Sequence, residues 1–186
     1  MNRKSIAILG VDGSGKSTAV NNLKKVLGNQ CVITYMGYKD FDDPKIETSK
    51  NKRFITPIIV YRIYRCFWKR YLRSVRTHKI AIFDRYVHEV FLNSGSRLKL
   101  LNTILYKYLF PMPSKIVYLH CSVSESLKRK NDIPDPVVFA EMKERFDHYF
   151  MSRNSVLCLD TGELSTDEIT YKIVQFINQS FFNDNH

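Results

Sequence analysis

The sequence predicts a three-layer α/β fold, in which helices cover both faces of a five-stranded parallel sheet. Five short runs are largely apolar and rich in β-branched or aromatic residues, as the strands of a buried parallel sheet must be. Helical patterns lie between these runs, and that alternation is typical of parallel sheets. The 186 residues contain no internal repeat or linker, so a single domain over 1–186 is expected.

The first predicted strand is Ile6-Ala7-Ile8-Leu9, which leads directly into a glycine-rich segment. The other strands are predicted at 31–35, 80–83, 115–119 and 156–159. Each run is apolar on both faces, which a strand needs when helices cover both sides of its sheet.

Six helices are predicted, at 16–27, 57–77, 87–109, 122–130, 136–151 and 166–181. The helix at 57–77 has an apolar face that is expected to pack on the sheet. The residues of that face are Ile59, Ile63, Phe67, Tyr71 and Val75. The helix at 136–151 has Asp135 as its expected N-cap and Pro136 in its first turn.

The composition indicates a soluble globular protein, with 44% hydrophobic and 25% charged residues. Neither a signal peptide nor an apolar run of membrane-spanning length is present, so a cytoplasmic location is expected. The four cysteines have no metal-like spacing and are expected to be buried free thiols. The net charge of +11 suits a nucleic-acid binder, a membrane-surface protein or an enzyme with polyanionic substrates.

Residues 10–17 match the phosphate-binding pattern G-x-x-x-x-G-K-[ST] at every fixed position, between a predicted strand and a predicted helix. Backbone N–H groups of such a loop surround the phosphates of ATP, its lysine reaches the outer phosphates, and its serine hydroxyl binds Mg²⁺. This motif predicts a P-loop NTPase fold that uses ATP and Mg²⁺. The expected ATP-binding residues are Gly10, Asp12, Gly13, Ser14, Gly15, Lys16, Ser17 and Thr18. Lys16 is expected to be exposed at the loop.

Asp84 and Arg85 directly follow the third predicted strand. Ligands of open parallel sheets bind beyond the carboxyl ends of the strands, so this pair should face the phosphate loop. A carboxylate there can hold Mg²⁺ together with Ser17, and an arginine can bind a phosphate through two parallel hydrogen bonds. The alternative for this pair is a surface salt bridge.

The motifs at 11–18 and Asp84-Arg85-Tyr86, with their separation, resemble those of the thymidylate kinases. The resemblance implies phosphoryl transfer from ATP to thymidylate (dTMP to dTDP) and suggests a homodimer. No stable nucleic-acid partner is expected, because the sequence has no second cluster of aromatic and basic residues and no known nucleic-acid-binding motif. It implies that Asp12 approaches the sugar of the acceptor nucleotide, that Asp84 serves the metal, and that Arg85 contacts the acceptor phosphate. The alternative for Asp12 is a turn-forming residue.

Two segments depart from the family pattern. Leu9 stands where the family usually has glutamate before the loop. The family's Arg-Glu-Pro-Gly type segment after the second strand is replaced by residues 35–39, in which Lys39 is a candidate for the missing cation. These departures leave phosphoryl transfer intact and put thymidylate itself in question.

The predicted helix at 57–77 has a basic face as well as an apolar one. Its cations are Arg62, Arg65, Lys69, Arg73 and Arg76. The resemblance makes Arg62 and Arg65 candidates for contacts with the acceptor phosphate, and Tyr61 or Tyr64 a candidate for base stacking. A solvated basic face and attachment to an anionic membrane surface remain alternatives.

A lid is expected at about 128–136, where two helical patterns meet. In similar kinases this place holds a mobile segment whose cations close over ATP. Lys128, Arg129 and Lys130 are the candidate cations, and Arg129 is taken as the catalytic one. The alternative is an exposed basic linker.

The leading hypothesis is therefore ATP-dependent phosphorylation of a nucleoside monophosphate. The main alternative is a P-loop kinase for another small acceptor, such as a nucleoside or a sugar. An alternative of another class is a nucleotide-dependent switch or a nucleic-acid-binding protein.

Overall fold

The computed structural model describes residues 4–37, 41, 43, 46, 56–93, 99–130, 133 and 135–181. Within these residues, five strands form one sheet: β1 (Ser5–Leu9), β2 (Cys31–Tyr35), β3 (Ile80–Asp84), β4 (Lys115–His120) and β5 (Val156–Asp160). The strand order is β2-β3-β1-β4-β5, and every neighbouring pair is parallel. The predicted five-stranded parallel sheet is confirmed.

The helices between the strands lie close to their predicted positions. They are α1 (Lys16–Leu27), α2 (Pro57–Val75), α3 (His88–Asn93), α4 (Lys99–Asn102), α5 (Val123–Arg129), α6 (Pro136–Met151) and α7 (Thr166–Phe181). Helix α2 has Thr56 as its N-cap, whose side chain accepts from the Ile59 N–H group, and α6 is capped by Asp135 as predicted.

The helices form two layers, one on each face of the sheet. Helices α1 and α7 pack on one face, through a core that includes Leu23 and Ile173. Helices α2, α3 and α6 pack on the other face, through a larger core rich in aromatic side chains such as Phe67 and Phe150. The three-layer prediction is therefore confirmed.

Two details of the predicted helices are corrected. The last part of the helix expected at 87–109 is π-helical, because α4 continues into the segment Thr103–Tyr108, while residues 94–98 between α3 and α4 lie outside the described residues. The wider winding appears as a hydrogen bond of 3.1 Å from the Leu109 N–H group to the Ile104 carbonyl oxygen. The buried face of α2 is also slightly rotated, because Val60 and Ser74 are buried while Ile59 and Val75 are only half-buried.

The four cysteines are free thiols, as predicted, but not all are buried. Cys31 and Cys121 are buried, whereas Cys66 and Cys158 are partly exposed. Among the described helices, none is both long and apolar enough to cross a membrane.

His88 gives the fold a pH-dependent element. Its ring is buried among Tyr86, Phe91, Tyr149 and Phe150, and its Nδ1 atom has no hydrogen-bond partner. Burial lowers the pKa of His88 to about 3, and the nearby Arg153 charge adds to this shift. The folded protein therefore holds this imidazole in its neutral form.

We expect the unfolding free energy to fall as the pH is lowered from about 6.5 to about 3, because over this range the unfolded state binds a proton at His88 and the folded state does not. The contribution of His88 is at most about 1.4 kcal/mol per pH unit. The measurement is urea unfolding of the wild type and His88→Phe at several pH values. The variant should show a shallower pH dependence, and equal slopes would contradict a buried neutral imidazole.

Candidate active site

The phosphate loop connects β1 to α1 and adopts a conformation that requires its glycines. Gly13 and Gly15 have φ angles of 80° and 79°, which residues with a Cβ atom rarely adopt. A Cβ atom on Gly13 would also lie 2.7 Å from the Ser126 carbonyl oxygen of α5. The loop is therefore packed against α5, with its backbone at the carboxyl end of β1.

Lys16 is buried rather than exposed, which corrects the expectation from the sequence. It is 6% exposed, and its Nζ atom donates a hydrogen bond of 2.6 Å to the Val11 carbonyl oxygen. Burial lowers the pKa of Lys16 to about 8, and the neighbouring Arg85 charge adds to this shift. The loop wraps around its own lysine, so the ammonium group is held in place at the wall of the pocket.

One pocket of about 610 Å³ brings the two sequence motifs together. Its lining residues from the phosphate loop and the start of α1 are Asp12, Gly13, Gly15, Lys16, Ser17 and Thr18. Its other lining residues are Tyr35, Asp84, Arg85, Arg129 and Lys130. The pocket lies at the carboxyl ends of β1, β2 and β3, where ligands of open parallel sheets bind.

Arg85 is fixed in this pocket by two carboxylates. Its Nη2 atom lies 2.6 Å from Asp12 Oδ1, and its Nη1 atom lies 2.7 Å from Glu89 Oε2. The backbone of Arg85 has a φ angle of 65°, a left-handed conformation that costs on the order of 1 kcal/mol for a residue other than glycine. This conformation and the two ion pairs hold the guanidinium group towards the phosphate loop.

Glu89 was not identified from the sequence, because Arg85 precedes α3 and the pair therefore has no helical spacing that would mark it. Its side chain is 12% exposed, and its Oε1 atom has no hydrogen-bond partner among the described residues. Burial raises the pKa of Glu89, while the Arg85 charge opposes the shift. Glu89 is therefore a positioning residue for Arg85.

Asp12 is an ion-paired carboxylate and not only a turn residue. Besides Arg85, it accepts a hydrogen bond of 3.1 Å from Lys130 Nζ. Burial alone would raise the pKa of Asp12, but the bond and charge of Arg85, with Lys130, lower it to about 2. A carboxylate held in this way is a weak proton acceptor.

Arg129 ends α5 and is tied to the sheet. Its guanidinium donates hydrogen bonds of 2.9 Å to both the hydroxyl and the carbonyl oxygen of Thr161, and it also pairs with Glu125. Thr161 follows β5 directly, and nothing in the sequence singled it out. Lys128 and Arg129 thus belong to helix α5. A lid was expected at 128–136, and residues 131, 132 and 134 of that segment lie outside the described residues.

Several expected acceptor residues are not brought into this pocket. Arg62 pairs with Asp43 at 2.7 Å, and Arg62 and Arg65 line a different pocket with Tyr61. The Tyr64 hydroxyl donates to the Leu109 carbonyl oxygen, and its ring packs against other aromatic rings of the core. Lys39 lies outside the described residues.

Arg70 reaches the end of β2 instead. Its Nη1 atom donates to the carbonyl oxygens of Tyr35 and Gly37, at 3.3 and 3.0 Å, and its guanidinium lies over the Phe41 ring. The sequence interpretation missed Arg70 because it lies outside the stripe of cations that recurs along α2. Arg70 fixes the backbone beside Tyr35, which lines the phosphate pocket.

Ser17 and Asp84 are the residues that could hold a magnesium ion. Both line the pocket, and both offer the oxygen ligands that Mg²⁺ prefers. Among the described residues there is no group of three or more His, Cys, Asp or Glu that could hold a metal. Two protein ligands nevertheless fit Mg²⁺, which usually keeps several waters and binds substrate phosphates.

Asp84→Asn should weaken metal-dependent turnover more than it weakens ATP binding without metal. Burial raises the pKa of Asp84, with Lys16 and Arg85 opposing the shift, so a cation is a favourable partner for its carboxylate. The measurement is turnover against Mg²⁺ concentration, beside ATP binding in EDTA. Asp167→Asn, in the exposed first turn of α7, is the matched control. An unchanged Mg²⁺ dependence would make Asp84 a structural residue.

No family model matches the chain. Among curated proteins it is similar to the probable thymidylate kinase 1 of Saccharolobus solfataricus, with 26% identity over 141 residues, or 70% of this chain and 72% of the relative. Among solved structures it is similar to the thymidylate kinase of Candida albicans, with a TM-score of 0.72 and 18% identity over 95% of this chain and 91% of the other.

Two further solved structures have the same fold. The deoxyadenosine kinase of M. mycoides, bound to dCMP and dCDP, has a TM-score of 0.66 and 17% identity, covering 94% of this chain and 99% of the other. The YorR protein of Bacillus subtilis, in complex with phosphorylated GDP, has a TM-score of 0.60 and 21% identity, covering 94% and 95%. At these identities the structural matches establish the fold.

Proposed function

We propose that this chain, which is similar to thymidylate kinases in sequence and in fold, transfers the γ-phosphoryl group of ATP to a nucleoside monophosphate, with dTMP as the leading acceptor. The observation that carries this proposal is the position of Arg85, which is held by Asp12 and Glu89 at the wall of the phosphate pocket. An arginine fork matches the geometry of a phosphate that is already present on the acceptor.

The chemistry of the pocket favours an acceptor that has no proton to remove. In a monophosphate acceptor, a phosphate oxygen attacks the γ-phosphorus in line, the bond from the γ-phosphorus to the bridging oxygen breaks, and ADP leaves. That oxygen is largely deprotonated at neutral pH, since the second pKa of a phosphate monoester is about 6. A nucleoside or sugar hydroxyl would need a general base, for which Asp12, with its pKa lowered to about 2, is poorly suited, while Asp84, which also lines the pocket, is proposed to hold Mg²⁺.

The remaining residues orient the reactants and stabilise charge. The glycine-rich backbone and Lys16 hold the outer phosphates of ATP, and Lys130 and Arg129 add positive charge to the same pocket beside Asp12 and Thr161. Mg²⁺ held by Ser17 and Asp84 would neutralise negative charge on the β- and γ-phosphates. Arg85 aligns the acceptor phosphate, and Asp12 lies beside it, where the acceptor sugar would approach. The family likeness also suggests a homodimer, which sedimentation of the full chain would test.

The proposal is tested by an ADP-release assay over a panel of acceptors. The panel contains nucleoside monophosphates, the corresponding nucleosides and common sugars. We expect turnover with monophosphates, led by dTMP, and little above background with nucleosides or sugars. Lys16→Met is the control for contaminating kinases. Turnover led by a nucleoside or a sugar would instead support the second candidate, to which the altered segment at 35–39 gives some weight.

A further inference from the structure

The outer face of α2 carries a basic groove that is separate from the phosphate pocket. The groove has a volume of about 280 Å³ and shares no lining residue with that pocket. Its main lining residues are Tyr61, Arg62, Arg65, Lys69, Arg70 and Arg73. The proposed kinase reaction gives this groove no role.

The groove concentrates positive charge along one segment of the chain. Residues 56–79 contain seven lysines and arginines and no aspartate or glutamate. Among the described residues, Asp43 is the one carboxylate that lines the groove, and it pairs with Arg62. Arg65 and Lys69 are exposed and four residues apart, a spacing at which like charges destabilise a helix, and Arg73 lines the groove one turn further on. A polyanion bound in the groove would relieve that repulsion.

The length and shape of the groove indicate a strand of phosphates. Arg65 and Arg73, which both line the groove, are eight residues apart, which corresponds to about 12 Å along a helix. That length exceeds what one small phosphate ligand needs. A membrane surface does not follow a concave groove of this kind. The apolar face of α2 is buried in the core, so it cannot insert into lipid.

An aromatic ring stands at one end of the charged stripe. The Tyr61 side chain is 58% exposed, and the Arg65 guanidinium lies 5.9 Å from the centre of its ring. An exposed ring beside cations is the arrangement on which bases of single-stranded nucleic acids stack, whatever their sequence.

We propose that this groove binds single-stranded nucleic acid, with three phosphates along Arg65, Lys69 and Arg73 and one base on Tyr61. This inference revises the expectation of no stable nucleic-acid partner. It is independent of the proposed kinase function, because Lys69 and Arg73 do not line the phosphate pocket.

The test is fluorescence anisotropy of a labelled 20-nucleotide oligo(dT) with the full chain, at 50 and 200 mM KCl. Contacts with three phosphates should raise Kd about 20-fold between these salt concentrations. Lys69→Gln with Arg73→Gln should weaken binding at low salt by about tenfold or more and flatten the salt dependence. Tyr61→Ala should weaken binding by about fivefold or more, with the salt dependence unchanged.

The matched control is Lys24→Gln with Lys25→Gln, which removes the same charge from the exposed face of α1. Near-wild-type binding by this variant would support binding in the groove. An equal loss of affinity in both double variants would show that binding depends on net charge alone and would overturn the proposal. If the groove variants still bind the oligonucleotide and ATP abolishes that binding, the oligonucleotide binds in the phosphate pocket and the proposal is overturned. Anionic vesicles that bind through the groove while oligo(dT) does not would also overturn it.

Discussion

Lys16→Met should lower turnover by about 10²- to 10³-fold, the loss that follows removal of one preorganised group that stabilises charge in the transition state. Methionine retains most of the buried side-chain volume, which matters because Lys16 is only 6% exposed. The effect should therefore be on the chemistry and not on packing. The measurement is steady-state turnover at saturating ATP, with thermal unfolding run in parallel.

Lys25→Met is the control for Lys16→Met, since Lys25 lies on the exposed face of the same helix. It should keep wild-type turnover. If Lys16→Met kept more than about a tenth of wild-type turnover, the loop could not be the catalytic phosphate site.

Removal of Arg85 should have the second large effect, and it requires a paired design. Arg85→Met alone would leave the buried Glu89 carboxylate without its partner, which typically costs about 3–5 kcal/mol of stability. The variant is therefore Arg85→Met combined with Glu89→Gln. We expect kcat/KM for the monophosphate to fall by about 10- to 100-fold, because hydrogen bonds to charged groups contribute about 1.5–3 kcal/mol each.

The KM for ATP should change little in this double variant, since Arg85 is proposed to bind the acceptor. Glu89→Gln alone is the control, and it should keep most of the activity because a glutamine oxygen can still accept from Arg85. Equal losses in kcat/KM for ATP and for the acceptor would indicate that Arg85 binds the ATP phosphates instead. An unchanged acceptor KM and kcat would leave Arg85 with a structural role.

The sequence predicted the sheet well because buried parallel strands have a strong local pattern. The bounds of β2, α1, α6 and α7 agree with the prediction to the residue. Strands β3, β4 and β5 each include one more residue at the carboxyl end, such as Asp84, because backbone pairing continues into the polar residues there, and β1 begins one residue earlier, at Ser5. The π-helical segment at Thr103–Tyr108 has no comparable local signal.

The site was only partly predictable, because its details depend on contacts between distant segments. The phosphate loop and Asp84-Arg85 were recognisable from residue spacing, and the fold brings them into one pocket. The burial of Lys16 could not be read from its motif, since it results from the loop closing around the side chain. Thr161 lies 32 residues from Arg129 along the chain, so only the fold shows their contact.

The most direct test of the central claim is one paired measurement: kcat/KM for thymidine monophosphate and for thymidine, with the same enzyme preparation and saturating ATP and Mg²⁺. We expect the monophosphate to be better by at least about 10-fold, since thymidine leaves the Arg85 guanidinium without its phosphate partner and its hydroxyl without an effective base. Equal values for the two acceptors would contradict the assignment of Arg85 and the nucleoside monophosphate kinase proposal with it.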